Sequence, residues 1–259
     1  MSLNNDTVTF QKKELKGSRL RCLMLTSLPD QHAARFLNGL VHPHATVGPL
    51  DNRMPRGFQQ PGEAKLGEDP PFLSDDHRES VTAWWLKVRR NANTPNWDLV
   101  SQATVDGKPG LILVEAKAYV TELKAHDSCG ATNAENMKQI AKAIAEADRE
   151  LNEIAPGWAL KASSHYQISN RFAWAWKVAS LGVPVVLVYL GFLNAEEMQS
   201  PTRKIFRGKD EWRKGVLKHA TGIVPPAVWE QGIKVNGTPL RALIRSMDVN
   251  VAVEIPWKA

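Results

Sequence analysis

The segment NWDLVSQATVDGKPGLILVEAK, residues 96–117, decides how this chain is built. The runs Asn96 to Val105 and Leu111 to Tyr119 flank Asp106-Gly107, and an Asp-Gly pair between two such runs signals a β-hairpin, because both turn positions need positive φ. In a two-residue turn Val105 faces Lys108, and counting back along both strands brings Asp98 directly opposite Glu115. Opposed residues share a face. A register pairing Val105 with Leu111 would send Asp98 to the other side, because a slip of odd total flips the pairing. Pro109 weighs against the tight register, since it cannot donate to a ladder, and favours a bulge or longer loop.

Period-two alternation places Glu115 and Lys117 on one face of their strand and turns Ala116 away. Two charges therefore interrupt one face of an otherwise apolar strand, which is costly unless they are paired or bind a metal. Two carboxylates on one sheet face with a lysine two residues on suit phosphodiester hydrolysis. The acids can hold Mg²⁺, a hard ion that keeps several waters, polarises a phosphate and acidifies an attacking water. Lys117 could orient that water or stabilise developing negative charge.

Working outward, Ser74-Asp75-Asp76 reads as a helix N-terminus with acids at the positive end of the dipole. Val81, Trp84, Trp85 and Val88 then predict a helix over about 75–90. The Ala-rich stretch 134–154 predicts a second helix, and 165–180, with Phe172, Trp174, Trp176 and Val178, a third. Val185 to Phe192 is a continuous apolar run, as expected of a strand covered on both faces. The tail predicts a helix near 209–219, an Asn236-Gly237 turn and two short strands. Helix, hairpin, helix, helix, strand is the order of an α/β sandwich. Upstream, a basic stretch (Lys12, Lys13, Lys16, Arg19, Arg21), an apolar run Leu23 to Leu25 and a Gly/Pro-rich passage from Pro43 to Pro71 read as an extended or wrapping arm over residues 1–72, preceding a domain over 73–259.

The chain of 259 residues carries 33 Lys and Arg against 27 Asp and Glu, a formal net charge of +6 that favours a polyanionic partner. No apolar run approaches the roughly 18 to 20 residues that span a bilayer, and Met1 to Thr9 lacks a secretory layout, so a cytoplasmic protein with no membrane partner is expected. Cys22 and Cys129, two in all and far apart, read as reduced thiols.

The arrangement of Asp98, Glu115 and Lys117 resembles the PD-(D/E)XK, or restriction-endonuclease-like, nuclease superfamily, whose core is an acid on one strand and (D/E)-x-K on the next. Trp97 stands where the family has Pro before the first acid, with Pro95 nearby. The resemblance covers about residues 74–192. It implies a three-layer α/β/α sandwich around a central mixed sheet, and a Mg²⁺- or Mn²⁺-dependent nuclease acting on DNA, with a homodimer compatible. It also implies that Asp98, Glu115 and the Ala116 carbonyl hold the metal. Glu79 is the candidate for a further acid that many members carry on the helix before the first catalytic strand. Some branches place a Gln-containing motif on a helix after the lysine strand. Gln167, Asn170 and Arg171 match it loosely and could contact phosphate or a base, or support the metal acids.

Plainer roles stand beside these. Glu79 also suits a first-turn acid complementing the helix dipole, and Gln167, Asn170 and Arg171 suit surface or capping groups. Trp84, Trp85, Trp174 and Trp176 have core spacing. His42-Pro43-His44 lacks a third ligand at metal spacing, and Asp6, the Lys12 cluster and the basic stretch Arg203 to Lys218 read as solvated faces, the last able to line a DNA path. A nuclease-like fold that binds nucleic acid or protein without turnover is the alternative function. A small-molecule enzyme of Rossmann type lacks the Gly-x-Gly-x-x-Gly or Walker pattern it needs.

Overall fold

The computed structural model describes residues 16–69 and 72–251. Expectations for Asp6, Lys12, Lys13, Pro70 and Pro71 lie outside them. In chain order the elements are α1 (Gly17–Thr26), α2 (Asp30–Val41), β1 (Ala45–Thr46), β2 (Arg53–Met54), β3 (Ala64–Lys65), α3 (Asp75–Trp85), β4 (Asn96–Trp97), β5 (Leu99–Val105) and β6 (Lys108–Lys117). They continue with α4 (Ala134–Ile154), α5 (Tyr166–Ser180), β7 (Val185–Leu193), α6 (Lys209–Ala220), β8 (Ile233–Val235) and β9 (Thr238–Asp248).

The protein is α/β, built on a mixed sheet in the order β1-β5-β6-β7-β9-β8, with β2 also on β5 and a separate β3-β4 pair. Strands β5 and β6 run antiparallel, β7 and β9 continue parallel to β6, and β8 closes antiparallel. The hairpin register is the tight one: Val105 pairs with Lys108 and Leu99 with Val114. Asp106 and Gly107 supply the turn at φ 47 and 78, the left-handed pair that Asp-Gly accepts readily. Pro109 forces no bulge. It pairs with Thr104, one step from the turn-flanking pair, so in an antiparallel ladder its nitrogen points away from β5. On that side pairing with β7 begins only at Leu111.

Alternation divides the sheet into two cores. Leu99, Ile112, Val114, Ala116, Val186 and Val188 pack under α1 and α2, against Cys22, Leu25, Leu37 and Leu40. Val100, Leu111, Leu113, Leu187 and Tyr189 face the other way, against apolar residues of α3, α4, α5 and α6. Each large side chain so buried contributes roughly 1.5–3 kcal/mol. The four tryptophans Trp84, Trp85, Trp174 and Trp176 belong to this second core and meet edge-on or tilted, with centroids 5.4 to 6.1 Å apart.

Three expectations change. Residues 17–69 are not an extended arm: two helices cover one sheet face, and short strands pair with β4 and β5. In α2 the apolar residues Ala33, Ala34, Leu37, Leu40 and Val41 recur at helical spacing and are buried. Helix α3 stops at Trp85 instead of near 90 because Asn136 of α4 captures the backbone of Val88, accepting from its N–H at 2.8 Å and donating to its carbonyl at 2.7 Å. The last strand, β9, is no short tail piece but an 11-residue strand inside the sheet.

Candidate active site

Asp98 follows β4 immediately and stands opposite Glu115 at the end of the β5-β6 pairing. The link is direct, since Oδ2 of Asp98 accepts the backbone N–H of Ala116 at 2.7 Å. Ala116 turns its methyl into the opposite core and enters the site through its main chain. The other Asp98 oxygen accepts no protein hydrogen bond among the described residues.

Glu115 is 1% exposed and Lys117 5%, a depth at which a lone charge would be strongly disfavoured. Both oxygens of Glu115 are held by cations: Lys117 Nζ donates to Oε1 and Arg171 Nε to Oε2. Arg171, from α5, also donates to the Asn96 carbonyl at 2.8 Å and lies over the Trp97 ring, 4.5 Å from its centroid. A planar, delocalised guanidinium can hold carboxylate, carbonyl and indole together, which an ammonium cannot.

The electrostatics follow this geometry. Burial and the neighbouring Glu115 charge push the half-buried Asp98 carboxyl up to about 7, against the pull of Lys117. Burial would raise Glu115 as well, but Arg171 and Lys117 outweigh it and hold Glu115 below the usual carboxylate range. Burial pulls Lys117 down, yet Glu115, Asp98 and Glu122 outweigh that effect and keep its ammonium charged.

Of the residues expected from sequence, Asp98, Glu115 and Lys117 converge. Arg171 joins them as the partner of Glu115, so of the three roles open to it, the support of the acids is the one its contacts fill. Asn170 is buried beside it, its side-chain oxygen 3.4 Å from a guanidinium nitrogen. Gln167 stays apart from the acids and lines a cleft of about 500 Å³ next to Arg171. Glu79 does not converge. It lies roughly 200° around α3 from the buried Val81, at about 100° per residue, and its carboxylate binds Arg89 on an exposed surface.

Several site neighbours escaped the sequence reading. Glu63, just before β3, adds to the field on Asp98 but is bonded to Arg19 and to the Asn96 side chain, each at 3.1 Å. Glu122 accepts the N–H groups of Ala118 and Tyr119 at 2.7 and 3.1 Å beside Lys117. Asp127 caps α5 from 39 residues away, accepting from the N–H groups of Tyr166 and Gln167 at 3.0 and 2.8 Å. Glu63 and Asp127 have no local sequence signal, because tertiary contact brings them in, whereas Glu122 bonds N–H groups only three and four residues back along the chain. Tyr189, paired in register with Glu115, carries a buried hydroxyl without a partner among the described residues.

Among the described residues no three His, Cys, Asp or Glu side chains stand together as a metal-holding group, and no helix is long and apolar enough to cross a membrane. Comparison of the chain with protein-family models, with curated proteins and with solved structures found no match.

Proposed function

We propose that the chain is a divalent-metal-dependent nuclease of the restriction-endonuclease-like kind, hydrolysing DNA phosphodiester bonds with Asp98, Glu115 and Lys117. The observation that carries this reading is the hydrogen bond from Ala116 N–H to Asp98, which sets two carboxylates and a buried ammonium at one point of the sheet.

The donor set suits Mg²⁺ or Mn²⁺. Mg²⁺ is commonly held by one or two carboxylates and retains waters, so no third acid is required, and Asp98 offers an oxygen free of donors among the described residues. Asp98 and Glu115, with the Ala116 carbonyl, would hold the ion, which when bound polarises the phosphate and acidifies a water. Lys117, kept charged by its acidic neighbours, stabilises the negative charge that develops on the phosphoryl oxygens. Arg171 fixes the orientation of Glu115, and the net charge of +6 draws the polyanion toward the protein.

A second reading, a nuclease-like module that binds without turnover, draws on one observation: both oxygens of Glu115 are already neutralised by Lys117 and Arg171. A cleavage assay on plasmid, single-stranded DNA and RNA with Mg²⁺ or Mn²⁺ and an EDTA control separates the two. The enzyme yields products that EDTA and Asp98→Ala abolish. Salt-sensitive binding without products under either metal supports the module instead.

A further inference from the structure

The cleft of about 500 Å³ lies beside the acids, with Arg171 as the wall between. That volume is in the range of pockets that enclose a small organic group. Its character is amide and aromatic rather than cationic. Gln167, Asn91 and Thr132 face it with side-chain polar groups that have no protein partner among the described residues. Tyr166, partly exposed, supplies ring surface.

Two features argue against phosphate as the group held inside. The N-terminus of α5, which would otherwise attract an anion, already carries the Asp127 carboxylate on the N–H groups of Tyr166 and Gln167. Arg171 is spent on Glu115 and the Asn96 carbonyl. Free carboxamides and a hydroxyl match the donor and acceptor edges of a base, and the Tyr166 ring matches its face. Arg90, exposed at the rim, is placed for the phosphate of the same nucleotide.

We infer that this cleft takes the base of an unpaired nucleotide, so that the substrate is DNA with a bulge, flap or single-stranded end rather than continuous duplex. The inference rests on the nuclease reading for its choice of nucleic acid. A base inside a duplex is stacked and paired, and withdrawing it costs free energy that an unpaired base does not require.

The test is a fluorescence-anisotropy titration in EDTA, so that no cleavage occurs, of a short DNA duplex with a one-nucleotide bulge against the same duplex fully paired. The wild-type protein is expected to bind the bulged form about tenfold more tightly. Raising the salt should weaken both affinities while preserving their ratio, because base contacts release no counterions. Gln167→Leu, which removes the amide, and Thr132→Trp, which fills the cleft from an exposed loop position, should each reduce the ratio to near one. Circular dichroism checks that both variants fold, and the exposed Thr132 site guards against misreading a folding defect of the other. Equal wild-type affinity for both duplexes, or a preference that survives in both folded variants, overturns the inference. A bulge preference without cleavage of any substrate in Mg²⁺ overturns the nuclease reading alone and leaves the cleft as a base-binding site.

Discussion

Arg171 reaches from α5 into the sheet to bind one oxygen of Glu115, while Lys117, two residues along the same strand, binds the other. The acid is thereby clamped between cations from two elements at 1% exposure. Arg171→Ala strips one of them and leaves a buried carboxylate half-compensated, with an expected loss of about 3–5 kcal/mol in folding free energy. Arg171→Lys should recover part of the loss and not all, because a lysine cannot also bond the Asn96 carbonyl and stack on Trp97. Urea unfolding of both variants checks the order.

Lys117→Ala is expected to lower the cleavage rate by about 10²- to 10³-fold, the scale of removing one stabilising donor from a developing anion. The fold should persist at reduced stability, because Arg171 still holds one oxygen of Glu115. Activity equal to wild type in a folded Lys117→Ala protein would remove the mechanism.

The raised Asp98 carboxyl makes stability depend on pH in a definite direction. Its folded-state value near 7 lies above the ordinary 3.8, so the folded protein binds the proton more tightly. Stability contributed through Asp98 is therefore present below about pH 4 and lost as the pH rises toward 7. The shift corresponds to an upper bound of about 4 kcal/mol at 1.36 kcal/mol per unit. In EDTA, Asp98→Asn should gain stability over wild type as the pH rises from 4 to 8. Parallel unfolding curves for the two proteins across that range would contradict the burial of Asp98 beside Glu115.

Glu79→Ala is expected to leave both the unfolding midpoint and the cleavage rate unchanged, since among the described residues its carboxylate meets only Arg89, on an exposed surface. A loss of cleavage would return Glu79 to the site.

Gly191 pairs with Lys117 across β6 and β7, and a Cβ there would stand 2.4 Å from the Trp212 ring. Gly191→Ala should destabilise the protein by about 1–3 kcal/mol through overpacking. Because the displaced ring packs directly over the strand that neighbours Lys117, cleavage should fall as well, measurable at a temperature where the variant remains folded.

The hairpin was legible from sequence because its information is local: Asp106-Gly107 selects the turn, the turn selects the register, and the register brings Asp98 to Glu115. Helices α4 and α5 were legible for the same reason, through their spacing. The end of α3 was not, since Val88 fits the helical pattern and only the side chain of Asn136, 48 residues away, diverts it. Nor was the helical cover supplied by residues 17–41, whose periodic apolar positions sit beside a passage rich in Pro and Gly.

The amino-acid sequence by itself determined which residues share a face and thus that two acids and a lysine meet at one sheet position, because alternation and turn chemistry act over a few residues. Only the tertiary structure decided that Arg171 completes the clamp on Glu115, that Glu79 stays in solvent and that a cleft of about 500 Å³ opens beside Arg171. Those outcomes depend on how α3 and α5 are rotated and set against the sheet, and that placement comes from the packing of the whole core rather than from any local signal.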